Sequence, residues 1–90
     1  MKKQKNFPDA LNKFKEALQI YKVEKSSFKT TITLFEIGKI YYKLNQYPES
    51  LFYLNDSLEN FKKLGLKETN DYYYKKTKEL IKDIKKKKSL

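Results

Sequence analysis

Apolar residues recur three and four positions apart along nearly the whole chain, and nowhere do they alternate with polar ones in the two-residue rhythm of a strand. Four helical stretches follow. The first, about 8–24, carries Ala10, Leu11, Phe14, Ala17, Leu18 and Tyr21 on one broad stripe. Pro8 suits its first turn, where a missing N–H costs nothing, and Asp9 complements the positive end of the helix macrodipole. Ser26-Ser27 offers an N-cap for a second helix, about 28–44, whose main stripe is Leu34, Ile37, Tyr41 and Leu44. Thr30, Thr31, Ile32 and Thr33 are β-branched and weaken its first turns. Gly38 stands mid-helix, where it costs about 1 kcal/mol relative to Ala; a neighbouring helix that approaches too closely for a side chain explains it best. A third helix, about 48–64, starts at Pro48-Glu49 and ends before Gly65, which suits a left-handed C-terminal cap. Thr69 or Asn70 can cap a fourth, about 71–87, with Tyr73, Tyr74, Thr77, Leu80, Ile81 and Ile84 as its stripe. Beyond Lys85 the charge run is expected to fray. The pattern predicts an all-α chain.

The first and third helices repeat one another. Asn6-Phe7-Pro8-Asp9-Ala10-Leu11 is answered by Gln46-Tyr47-Pro48-Glu49-Ser50-Leu51 at a constant offset of 40. Phe14, Ala17, Leu18 and Tyr21 are answered by Leu54, Ser57, Leu58 and Phe61 at the same offset. Recurrence at such a period marks stacked units that cannot bury their apolar faces alone. An unrelated four-helix bundle is the competing architecture, since helical patterning alone is enough to specify one.

Leu34, then Ile37-Gly38, then Tyr41 resembles the first helix of a tetratricopeptide repeat, and Ser50, Leu54 and Ser57 resemble its second. Ala10, Phe14 and Ala17 supply the second-helix trio again, closer to type. Tyr74, Thr77, Lys78 and Ile81 stand where Leu34, Ile37, Gly38 and Tyr41 would recur. The resemblance covers nearly all of residues 7–84 as a second helix, a whole repeat, and a first or capping helix. It implies antiparallel hairpins stacked as a short right-handed solenoid within one domain, 1–90, flanked by basic tails 1–5 and 85–90. The usual period of 34 is lengthened here to 40, as in the long repeats of kinesin light chains and bacterial peptide-pheromone receptors. Lys22 and Lys62 stand where a proline commonly follows the second helix. Lys78 in place of the glycine implies that nothing packs closely beyond the fourth helix.

Composition narrows the function. A 90-residue chain with no Cys or His has neither a disulfide nor a Cys/His metal site to staple it. It also lacks the commonest general base and thiol nucleophile. The two glycines are isolated, so no phosphate-cradling loop exists. An enzyme, a cofactor and a bound metal are therefore not expected. No run approaches a membrane span and no secretory leader begins the sequence, so the cytoplasm is the expected location. The net charge of +10 comes from 21 Lys and no Arg, although Arg is favoured for base readout and phosphate clamping. Seven of those Lys lie in residues 2–5 and 85–88, leaving 14 against 11 acids.

In such arrays the first helices line a concave groove that holds an extended peptide or a helix. The matching positions are Ile32, Phe35, Lys39, Tyr42 and Lys43 on the second helix, and Tyr72, Lys75, Glu79 and Lys82 on the fourth. Phe35, Tyr42 and Tyr72 are the expected aromatic anchors, and the lysines a positive rim for an acidic or C-terminal carboxylate peptide. The first helix has a stripe wide enough for two neighbours and none before it, and Phe52 and Tyr53 interrupt the polar side of the third. Leu11, Leu18, Phe52 and Tyr53 are accordingly the expected contacts of a homo-oligomer. The expected function is a non-enzymatic protein–protein interaction module, a scaffold or adaptor. The alternative is an electrostatic binder of nucleic acid or anionic membrane through the Lys-rich ends.

Overall fold

A computed structural model describes residues 6–65 and 72–88. Four α-helices run in order: α1 (Phe7–Glu24), α2 (Ser27–Lys43), α3 (Tyr47–Lys63) and α4 (Tyr72–Lys88). No strand occurs among the described residues. The expected caps Thr69 and Asn70, the start of the fourth helix at Asp71, and the tail 1–5 lie outside those residues.

The ends of α1 to α3 follow local chemistry. Asn6 is the N-cap of α1, and its Oδ1 accepts the Asp9 N–H at 3.1 Å. Ser26 is the N-cap of α2, but its side chain makes no capping bond. Gly65 takes φ +85° and donates its N–H to the Lys62 carbonyl at 3.0 Å, closing α3. The turns after α1 and α2 reach the same left-handed geometry without glycine, at Lys25 (φ 60°) and Asn45 (φ 62°). In each, the next N–H returns to a helix carbonyl: Ser26 to Tyr21 at 3.0 Å and Gln46 to Tyr41 at 2.9 Å. Asn visits this conformation readily, whereas Lys adopts it at a steric cost. Lys25→Gly is therefore expected to stabilise the fold by about 0.5–1 kcal/mol, read as a higher urea midpoint at unchanged slope.

Helix α4 differs from expectation at its far end. It continues in regular helix to Lys88 instead of fraying after Lys85. Lys is a good helix former, cations are favoured at a helix C-terminus, and Lys87 pairs with Asp83 one turn back at 3.7 Å.

The chain stacks as an open array. Helix α2 packs against α1, α3 and α4, and α4 packs against both α2 and α3. Helix α1 makes no close backbone approach to α3 or α4, which a closed four-helix bundle would require. Two apolar clusters result. Leu18, Leu34, Ile37 and Tyr41 join α1 to α2, with Leu11, Phe14 and Tyr53 packed around them. Phe35, Leu54, Phe61, Tyr74, Leu80, Ile81 and Ile84 join α2, α3 and α4.

The hairpin α2–α3 is the tightest joint. A Cβ on Gly38 would stand 2.8 Å from Leu54 Cγ and Cδ2 and 3.2 Å from the Leu54 nitrogen. Beside it, the Ser50 hydroxyl donates to the Gly38 carbonyl at 2.8 Å, both residues being buried. The other buried hydroxyls turn back on their own helices. Thr31, Thr33 and Thr77 each donate to the carbonyl four residues earlier at 2.7 Å, so their burial leaves no polar group unpaired.

The two Pro-led helices share a face but not a degree of burial. Ser50, Leu54, Ser57 and Phe61 are fully buried in α3, whereas Ala10, Phe14, Ala17 and Tyr21, 40 residues earlier, are half-buried in α1. The difference is one of neighbours, since α3 lies between α2 and α4 while α1 leans on α2 alone.

Candidate functional site

Because α2 and α4 are alternate helices that touch, their outward faces form one continuous surface. Two contacts fix the pair. Phe35 meets Tyr73 edge-on with centroids 5.5 Å apart, and the Tyr42 hydroxyl donates to Asp83 Oδ2. That bond, joined by burial and the Asp83 charge, pushes the Tyr42 phenol up to about 12 from its usual 10.0. A folded-state value above the unfolded one means that the contribution of this contact to stability is complete below pH 10.0. It is lost as pH rises through about 12.

The expected groove residues divide three ways. Phe35 is 0% exposed, at the centre of the cluster joining α2, α3 and α4. It is therefore a core residue and not the expected peptide anchor, because the arrival of α4 covers that side of α2. Ile32 and Tyr42 are half-buried against the same cluster, with the Tyr42 ring tilted 5.9 Å from Tyr47. Lys43, Lys75, Glu79 and Lys82 are exposed, Tyr72 is 62% exposed, and Lys39 is half-buried.

Two acids within this surface escaped sequence reading. Glu36 pairs with Lys39 at 3.4 Å, and the Lys39 ammonium also stands 5.4 Å from the Phe35 ring centroid. Asp83 takes the Tyr42 hydrogen bond and pairs with Lys87. Glu36 sat within reach of Lys39 at helical spacing, a visible signal. Tyr42 and Asp83 are 41 positions apart, and no local spacing announces them.

The expected self-association residues also divide. Leu18 is buried between α1 and α2, because the inner side of its stripe meets Leu34 and Ile37, so it cannot contact a second copy. Tyr53 is half-buried, stacked on Tyr41 with centroids 5.7 Å apart. It closes the α1–α2 joint and is not a free surface ring. Lys15 completes this joint: its ammonium donates to the Tyr41 hydroxyl at 2.9 Å, the main reason its pKa is raised. Leu11 is half-buried, and Phe52 is 67% exposed. The most exposed apolar residues on α1 are Ile20 and Val23, neither on the expected stripe.

With Gly38 seated on Leu54, Ser50 against Gly38 and α4 laid across α2 and α3, the helices stack as hairpins in an open row. A family model for the tetratricopeptide repeat matches residues 1–63, which span α1, α2 and α3. The chain belongs to the tetratricopeptide-repeat family. No curated protein and no solved structure matches it. The family's repeats are generally non-catalytic, and membership in it points to a protein–protein interaction module. Among the described residues no helix is long and apolar enough to cross a membrane, and no group of three or more His, Cys, Asp or Glu could hold a metal ion.

Proposed function

We propose that this tetratricopeptide-repeat chain holds an acidic peptide or helix of a protein partner on the surface shared by α2 and α4. On this reading α4 acts as the first helix of a following repeat. The observation that supports the proposal is the direct packing of α4 on α2, which joins the helix that carries Lys39 and Lys43 to the one that carries Lys75 and Lys82. Tyr72 is the exposed ring available as an anchor, with the edges of Ile32 and Tyr42 as apolar floor. Glu36, Glu79 and Asp83 interrupt the positive field and favour a ligand whose acids are spaced rather than clustered.

Selection of displayed random peptides against the immobilised chain tests this. The reading expects enriched sequences rich in Asp and Glu, with affinity reduced about tenfold or more by Lys39→Glu/Lys43→Glu at unchanged helicity. Selection without charge bias, or binding indifferent to that double substitution, would contradict it.

A second reading concerns the first helix. Ile20 and Val23, one turn apart near the end of α1 and off its packed stripe, are 55% and 82% exposed, an apolar patch able to pair with another copy. Sedimentation of a compact monomer up to millimolar concentration would remove this reading.

A further inference from the structure

At the far edge of the stack, α3 and α4 enclose a groove of about 430 Å³. Its apolar floor comes from Leu58 and Ile81, and its α4 wall from Lys78, Lys82 and Lys85. Asn55 stands on the α3 side, and Glu79 is the single acid lining it among the described residues. The floor and the α3 side of this groove lie outside the proposed peptide site, while Lys82 and Glu79 of α4 border both.

The chain itself shows what such a groove takes. Forty residues earlier, Leu18 of α1 and Tyr41 of α2 are the counterparts of Leu58 and Ile81. That earlier joint receives α3: Tyr53 stacks on Tyr41, and Leu54 seats on Gly38. A helix therefore fits where two helices of this array meet.

The side chains around the later groove have changed in one direction. Lys78, Lys82 and Lys85 replace Gly38, Tyr42 and Asn45. Lys78 prevents the close backbone approach that Gly38 permits, and its ammonium stands 5.6 Å from the Tyr74 ring centroid at the groove's side. A helix entering here rests farther from α4 and meets ammonium groups along its flank. Those groups are matched by carboxylates, and the chain's net charge of +10 draws acidic partners from a distance.

We propose that the α3–α4 groove receives an amphipathic α-helix from a partner protein, apolar along the face laid on Leu58 and Ile81 and acidic along the flank that meets Lys78, Lys82 and Lys85. The mode is helix-in-groove recognition, with Leu-type anchors three and four residues apart. The apolar floor separates this site from a purely electrostatic one, which would need only the lysines.

The test uses the full 90-residue chain and a fluorescent synthetic helix of about four turns, with Leu on one face and Glu on both flanks. Fluorescence anisotropy is expected to show saturable binding. Lys78→Glu/Lys85→Glu should raise Kd about tenfold or more, while Lys13→Glu/Lys22→Glu on α1, exposed and outside both proposed surfaces, leaves it within about twofold. A scrambled peptide of the same composition, lacking the apolar face, should bind about tenfold more weakly. Four results overturn the proposal. They are no saturable binding, equal losses from the α1 and α4 variants, equal binding of the scrambled peptide, and amide shifts at Leu58 and Ile81 that track protein concentration without peptide. The third outcome describes a general polyanion surface such as lipid or nucleic acid would use, and the fourth a groove already filled by a second copy. Circular dichroism of each variant separates lost binding from lost fold, and failure of the α2 surface alone leaves this groove standing.

Discussion

Phe35→Ala is expected to destabilise the chain by about 3–5 kcal/mol, the cost of emptying a fully buried aromatic site. Phe35 is 0% exposed, meets Tyr73 edge-on, and lies in the one cluster that ties α2, α3 and α4 together. No single neighbour can collapse into the gap, because the surrounding residues belong to three different helices. A domain of this size is stable by only about 5–15 kcal/mol, so the substitution removes a large share of its folding free energy. Urea unfolding followed by circular dichroism measures it. Tyr72→Ala is the control: 62% exposed at the start of α4, it should change stability by no more than about 0.5 kcal/mol. The contrast matters for function. Loss of partner binding in Phe35→Ala would report a damaged stack, whereas loss in Tyr72→Ala would report a lost contact.

Gly38→Ala is expected to destabilise even though helix propensity alone favours Ala by about 1 kcal/mol. The added methyl would lie 2.8 Å from two Leu54 carbons and 3.2 Å from the Leu54 nitrogen. Leu54 is fully buried, so its side chain has nowhere to swing, and the nitrogen moves only if α3 moves. Overpacking of this kind costs about 1–3 kcal/mol, which exceeds or cancels the propensity gain. Any separation of the helices also stretches the Ser50–Gly38 hydrogen bond. Gly38→Val adds two further atoms with little propensity benefit and should cost more than Ala. Leu54→Ala loses about 2–5 kcal/mol alone, but combining it with Gly38→Ala should cost less than the sum, because one change makes room for the other. An increase in stability for Gly38→Ala would show that the helices are not in close contact there.

The helices and the repeat were legible in the sequence because they rest on local spacing. Apolar residues three and four apart, Pro8 and Pro48 in first turns, and Gly65 at a left-handed end all act within a few residues of themselves. Gly38 was legible for another reason: an unfavourable residue mid-helix needs a cause, and close packing is one of few available. What escaped reading depended on which helix arrives on which side. Phe35 and Lys75 occupy equivalent places on their helices, 40 positions apart, yet one is core and the other exposed, because α4 covers a flank of α2 and no described helix covers the corresponding side of α4. Leu18 looked available for a second copy because its stripe is wide, but α2 takes up its inner edge. Tyr53 looked out of place on a polar side and instead stacks on Tyr41 from the preceding helix. Lys15 with Tyr41 and Tyr42 with Asp83 join residues 26 and 41 positions apart, beyond the reach of any helical period. The run beyond Lys85 was expected to fray; the Asp83–Lys87 pair and the helix dipole favour continued helix instead.

The central claim is that these helices form an open row in which burial between neighbours replaces a single enclosed core. Side-chain nuclear Overhauser contacts in solution test it most directly. The account predicts contacts from Leu11 and Phe14 to α2, from Tyr53 to Tyr41, from Gly38 to the Leu54 methyls, and from Phe35 to Tyr73, with none between α1 and α4. Contacts joining α1 to α4 would reveal a closed bundle and contradict the stack on which the interaction surfaces depend.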